Sequence, residues 1–399
     1  MKPGTPLAVV TGMGTVSSLG LNLSSSMDHM FNAPPVPAPP GRFSTDHAVA
    51  YPVFSLPGCP DFNLNKGERG LSLTAQMAIV AAREALVDAG LDQESLKGKT
   101  VGVCMGTTVG SALNNDPFYI QYKQGKNPDM GPILRYLRSN PAQAVASALD
   151  LNGPVQTVVN ACASGSDAVG IGAGWIRSGL CDMVIAGGTD ELCKVTYNGF
   201  ISLMITDSKQ CRPFDADRKG LNLGEGAGVL VLESHAGDHS PLRERVRAGI
   251  TGYGSACDAY HLTAPRPDGK GLCSALETAL AQGGTDLADL GFVNAHGTGT
   301  RENDRMEMTV FQNVLPGVPF FSTKGYTGHT LGAAGALEAV FTIAILNMGR
   351  IPGSRGFSTP DPDFIVTPVA HAKGINASTA ISQSVAFGGN NVVLVFKQP

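Results

Sequence analysis

Strand-ending turns recur in the same order in the two halves of this chain, and that repeat limits its fold more than any other feature. Residues 7–11 (LAVVT) read as a buried strand that ends in the turn Gly12-Met13-Gly14, and residues 248–251 lead into Gly252-Tyr253-Gly254 in the same way. The strand at 101–105 ends in Gly106-Thr107-Thr108, and its counterpart at 291–295 ends in His296-Gly297-Thr298-Gly299-Thr300. Residues 182–186 run into Gly187-Gly188-Thr189-Asp190-Glu191, echoed by 384–387 running into Gly388-Gly389-Asn390-Asn391. Residues 320–323 feed a turn and then a helix near Thr330, and 392–396 close the chain as a strand. Alternating strands and helices, repeated in this way along the chain, predict an α/β protein of two similar halves. Each half is expected to hold a mostly parallel sheet with helices packed between. The expected division is 1–245 and 246–399.

Glycine, at 50 of 399 residues, stands well above the roughly 7% of ordinary usage and supports many tight turns and close backbone approaches. The chain is 43% hydrophobic and 16% charged. Those proportions are ordinary for a globular protein. A net charge of −4 gives no reason to expect nucleic acid. The eight cysteines form no CxxC pair and fall mainly in apolar segments. That argues against zinc or a disulfide framework and for a reducing, cytoplasmic setting. The N-terminal stretch lacks a secretory pattern. The apolar run at 333–348 is interrupted by Gly335 and Glu338 and reads as too short for a membrane span. Residues 114–130 read as a polar, irregular insertion that covers something, and 33–41 (APPVPAPPG) as an extended surface loop.

The chemistry concentrates at strand ends, where open α/β sheets place ligands. In residues 158–174, VVNACASGSDAVGIGAG, Cys162 follows a β-branched run and precedes a helix of small residues. A thiol there sits at the positive end of the helix, which favours a thiolate. His296 follows a strand, and Lys324 and His329 share a turn. Glu338 is a candidate counter-charge for a buried lysine. Phe387 precedes a glycine pair, as in a movable gate or an ordinary hairpin. The segment from Asp215 fails as a calcium loop, with Lys219 at position 5 and Gly226 at position 12. GxxxxGK[ST], HExxH, GxSxG and a GxGxxG after a strand are all missing, so no metal or nucleotide site is expected. Cysteine with histidine can hydrolyse peptides. Cysteine with two neutral imidazoles, able to donate to one carbonyl oxygen, suits an enolate and carbon–carbon bond formation on a thioester.

Four ordered blocks carry a family resemblance: VVNACASG around Cys162, RPFDADRKGLNLGEGAGVLVLE, NAHGTGTREND around His296, and STKGYTGHTLGAAGALEA around Lys324 and His329. With the closing FGGNN they make the chain resemble the elongating β-ketoacyl-acyl carrier protein synthases of the thiolase superfamily, types I and II, along nearly its whole length. The resemblance implies a thiolase-like fold of five layers, α-β-α-β-α. It also implies a decarboxylative Claisen condensation that extends an acyl chain held on Cys162 by two carbons from a malonyl thioester. Its residues would be Cys162 as nucleophile, and the amides of Cys162 and Phe387 as oxyanion hole. His296 and His329 would stabilise the enolate, and Lys324, supported by Glu338, would stand behind them. Thr298, Thr300 and Gly388 would contact substrate, and Phe387 would act as gate. No permanently bound cofactor is implied, only the phosphopantetheine arm of an acyl carrier protein as the carrier of substrate. A homodimer is implied, with a heterodimer with a related subunit as the alternative.

Val385 stands where the family often has a second phenylalanine, and Asn390 where histidine is frequent. Residues 107–121 would line the acyl pocket or a dimer contact, with no legible length code. Cys162 argues against a non-catalytic chain-length-factor subunit, and the lack of a cysteine after Cys273 argues against a thiolase. His329 argues against a starter-type enzyme with a Cys-His-Asn site.

Overall fold

The computed structural model describes residues 8–58, 60, 62–108, 115–234 and 244–399. The first seven residues, Cys59 and the 109–114 part of the expected acyl-pocket stretch lie outside the described residues. The strands are β1 (Ala8–Ser17), β2 (Val101–Gly106), β3 (Val155–Val158), β4 (Met183–Asp190), β5 (Gly226–Glu233), β6 (Ala248–Cys257), β7 (Leu290–Asn294), β8 (Phe320–Phe321), β9 (Arg350–Ile351), β10 (Lys373–Gly374), β11 (Thr379–Ala386) and β12 (Asn390–Lys397). Ten of them form one sheet in the order β3-β2-β4-β5-β1-β6-β12-β11-β7-β8, and β9 pairs only with β10.

That order contains the repeat. Numbered within its own half, each set of five strands runs first, fifth, fourth, second, third, and the halves meet where β1 pairs antiparallel with β6 at Ala8–Ile250, Val9–Gly249 and Val10–Ala248. The expectation of mostly parallel sheets is corrected. In each half the second strand is parallel to both neighbours, while the fifth is antiparallel to the fourth and the first. In the second half the antiparallel pairing follows from the last connection, since β11 returns directly into β12 through the turn at Phe387 instead of crossing over through a helix.

Strand residues alternate between two apolar layers, which explains their unbroken hydrophobic runs. Val229 and Val231 face outward onto the helix Leu73–Asp88, while Leu230 and Leu232 face inward onto the helices Ser164–Arg177 and Ala334–Met348. In the second half Val393 and Val395 face the outer helix Lys270–Gly283, and Leu394 and Phe396 face inward. Outer helices, the first half's strands, the inner helix pair, the second half's strands and outer helices give the five layers.

The two TGxG segments are strand interior rather than turns. A Cβ on Gly14 would lie 2.0 Å from the Ala81 carbonyl oxygen, and one on Gly254 would lie 1.9 Å from that of Ala275. Glycine is there because an outer helix rests its backbone directly on the strand, once in each half. The stretch read as irregular carries a short helix, Asp116–Lys123, and a second, Gly131–Arg138, follows directly after it, neither with a buried residue. The apolar segment near the C-terminus is longer than expected. Leu331–Met348 spans 18 residues with a mean hydropathy of 1.7, and 83% of it is buried, as the innermost helix of the fold.

Candidate active site

The two inner helices start at equivalent places, each after the third strand of its half, and their leading turns deliver the reactive groups. After β3 the chain passes Ala161 at φ +47 and presents Cys162 just ahead of the helix Ser164–Arg177. After β8 it delivers Lys324 and His329 ahead of the helix Ala334–Met348. His296 stands at the end of β7. The structure brings these groups together: Cys162 Sγ lies 3.0 Å from His329 Nε2, and the His296 and His329 rings meet edge to face at 5.2 Å. All are buried, Cys162 to 5% exposure and both histidines to 2%.

Lys324, itself 1% exposed, is the charged centre behind them. Its Nζ donates to the His296 carbonyl at 2.6 Å, lies 3.1 Å from His296 Nδ1 and is ion-paired with Glu338. An ammonium can only donate, so Nδ1 of His296 is the acceptor and Nε2 carries the hydrogen toward the cavity. Burial, with Lys324 adding to it, holds both histidines well below their ordinary pKa, so both are neutral. Burial raises Glu338 to about 7 against the pull of Lys324.

The expected thiolate is corrected. Burial dominates at Cys162 and pushes the thiol up to about 12, although Lys324 and the Phe387 amide, which donates to the sulfur, act in the opposite direction. The resting group is a thiol beside an imidazole.

Cys162, His296, His329, Thr298, Thr300, Val385 and Phe387 line one cavity of about 480 Å³. The Thr298 and Thr300 hydroxyls are 2.8 Å apart. Gly388 stands apart, because its amide donates to the Leu262 carbonyl at 2.8 Å. Glu338 also lies outside the lining, behind Lys324. Asn390 donates to the Phe387 carbonyl at 3.2 Å and so closes the turn that bears the ring.

Sequence reasoning missed three residues. Phe200, from the helix Lys194–Ser202, stacks on Phe387 at 5.7 Å and meets the His329 ring edge-on at 6.5 Å. Nothing in its neighbourhood signals this. Glu307 accepts from the His296 and Gly297 amides, and Asp304 from those of Thr298 and Gly299. Burial, and then Asp304, raise Glu307 to about 7. The spacing of these carboxylates on one helix just after a glycine-rich loop was a usable signal. Among the described residues no cluster could hold a metal ion and the cysteines are free.

A thiol that can carry an acyl group, beside two neutral donors that can share one oxygen, equips an enzyme for acyl transfer and carbon–carbon bond formation. Family models bear this out: that of the β-ketoacyl synthase N-terminal domain matches residues 62–237, and that of the C-terminal domain residues 247–358. The chain belongs to the β-ketoacyl synthases and is an elongating condensing enzyme of fatty-acid or polyketide synthesis, an acyltransferase. It is 32% identical to the 3-oxoacyl-[acyl-carrier-protein] synthase 2 of Staphylococcus aureus, over 98% of this chain and 100% of that protein. The ishigamide ketosynthase/chain length factor structure is similar with a TM-score of 0.89 and 30% identity, over 98% of this chain and 99% of that one. A type II polyketide ketosynthase in complex with its acyl-carrier protein and bound to the hexaketide, AntDE:AntF, gives a TM-score of 0.86 and 26% identity over all of both chains.

Proposed function

We propose that Cys162 is the acylated nucleophile and that His296 and His329 drive decarboxylation of a malonyl thioester. The observation that carries this is the 3.0 Å contact between Cys162 Sγ and His329 Nε2 inside the cavity that also holds His296. In the first half-reaction the sulfur attacks the acyl thioester carbon, and a carbon–sulfur bond to Cys162 forms as that to the carrier thiol breaks. The thiol proton ends on the departing carrier thiolate. The amides of Cys162 and Phe387 stabilise the tetrahedral oxyanion. In the second, Nε2 of each histidine donates to the malonyl thioester oxygen, the bond to the carboxylate breaks, and CO₂ leaves an enolate. Its carbon attacks the acyl carbon, and the Cys162 thiolate departs and takes up a proton from solvent. The product is longer by two carbons.

The substrates arrive on the phosphopantetheine arm of an acyl carrier protein, with Thr298 and Thr300 along its path and the Phe387 ring gating the acyl side. The ketosynthase neighbour solved with its carrier protein supports this partner. The duplicated halves divide at 1–245 and 246–399, and the free cysteines support a cytoplasmic setting. A second copy is the partner at the open edge strand β3. Val155 and Val159 at that edge, and Tyr122 and Leu137 on the two short helices, are all exposed. An unpaired edge that exposes Val155 and Val159 invites a second chain. The chain-length-factor assembly in the neighbour's description favours one second reading, a heterodimer with a related subunit.

The test is the intact mass of purified protein after exposure to acyl-carrier thioesters of graded chain length. The expected result is one acyl increment that disappears in Cys162→Ala. A Cys162→Ala protein that still condensed acyl and malonyl thioesters would refute the nucleophile.

A further inference from the structure

The turn that presents Cys162 is held from the opposite half of the molecule, and we propose that Tyr253 is a positioning residue for the nucleophile, acting through Asp167 and Asn160. Ala161, the residue before the cysteine, is in the left-handed region at φ +47. A side-chain-bearing residue stays there only when its surroundings over-determine it. Two layers of hydrogen bonds do so. Nearest the turn, the Ser164 hydroxyl accepts from the Asn160 amide at 2.8 Å and donates to the Ala161 carbonyl at 2.6 Å. Beyond it, the Asn160 side-chain amide donates to one oxygen of Asp167, and the Tyr253 hydroxyl donates to the other at 2.7 Å.

The carboxylate, 5% exposed, therefore has both oxygens committed, one to the nucleophile turn and one to a strand of the second half. Packing fixes the tyrosine. Its ring lies over Gly170 so closely that a Cβ there would fall 2.3 Å from the ring. Burial, and then the Asp167 charge, hold the phenol well above its ordinary pKa, so it remains a donor, with Ser255 as a further partner.

The groups that Cys162 must meet, His329 Nε2 and the Phe387 amide, are carried by other elements of the second half. Tyr253 ties the nucleophile turn to that same half. Its loss would let the Ala161 turn relax and move the sulfur off its partners, a displacement to which acyl transfer is steeply sensitive. His296 is placed by Lys324 and Glu307, and the His329 backbone by Asn222 and Gly224, so neither histidine hangs on this clamp. The clamp thus serves one half-reaction and not the other. The inference rests on Cys162 being the acylated residue.

Tyr253→Phe keeps the ring on Gly170 and removes only the hydroxyl. Asp167→Asn must turn its NH₂ toward one of its two donors. In both variants the single-turnover rate of Cys162 acylation, followed by intact mass, is expected to fall about 10- to 100-fold. Decarboxylation of malonyl-carrier thioester should stay within about twofold. Acylation at the wild-type rate in both variants overturns the clamp alone, and so does an equal fall in both reactions. A wild-type protein that takes up no acyl group overturns the nucleophile assignment and the clamp with it.

Discussion

Laid over one another strand by strand, the two halves differ where it matters chemically. In the first, β2 ends at Gly106 and is followed by Thr107, whose hydroxyl donates to buried Asp190 at 2.7 Å. In the second, the equivalent strand β7 ends in His296. The turns before the inner helices correspond too, one carrying Cys162 and the other Lys324 and His329. The fourth-to-fifth connections correspond as well, since Phe200 belongs to the long one between β4 and β5 and Phe387 to the short one between β11 and β12, and the two rings stack. The two halves thus set matching positions facing one another, and the reactive groups stand where the members of a pair are unlike. On the roles proposed above, the first half carries the group that holds the chain, and the second the groups that act on the extender.

Cys162→Ala removes the first half's contribution alone. Acyl-enzyme formation should be lost entirely while decarboxylation of malonyl-carrier thioester, measured as CO₂ release, persists. His296→Ala is the converse, with decarboxylation falling about 10²- to 10³-fold and acyl uptake by Cys162 affected less. Equal loss of both activities in either variant would break the division between the halves. Lys324→Ala leaves the Glu338 carboxyl buried without its cation and should cost about 3–5 kcal/mol in denaturant unfolding.

The pH dependence separates the same two contributions. The histidine pKa values are depressed. Both rings therefore stay neutral as pH falls through the usual histidine value of about 6.5, and decarboxylation should show no acid limb there. The Cys162 pKa is raised to about 12. Its alkylation by iodoacetamide should therefore still be climbing about tenfold per pH unit at about pH 9. A plateau below that would show a thiolate already formed. The smallest effect tests the symmetry itself. Gly14→Ala and Gly254→Ala each push an outer helix off its strand and should each cost about 1–3 kcal/mol.

The repeat, the strand ends and the cysteine–histidine–histidine–lysine set were legible because each reactive side chain follows closely on a short apolar run. Other features were misread or missed for physical reasons. Gly12 and Gly252 look like turn residues, because nothing local tells a glycine that bends the chain from one that admits a neighbouring helix. The thiolate expected at Cys162 follows from the helix end alone, whereas the depth of burial that reverses it depends on the other half. Phe200 was invisible because its value lies in meeting Phe387, which the sequence places in the opposite half of the chain. The glycine-rich loop at His296 drew the eye, but the carboxylates that hold it, Asp304 and Glu307, read as an ordinary polar helix face.

The junction of β1 with β6 has a bearing on how the enzyme comes to be active. Each half draws its five strands from one continuous stretch of chain, and among the described residues the sheet joins the halves through three residue pairs. Most of the structure can therefore form locally, first one half and then the other as the chain emerges during synthesis. The pairing of sulfur and imidazole belongs to neither half and exists only after they dock. In refolding, competence for acyl uptake should lag behind the recovery of secondary structure, which makes the acylated cysteine a clock for the last step of assembly.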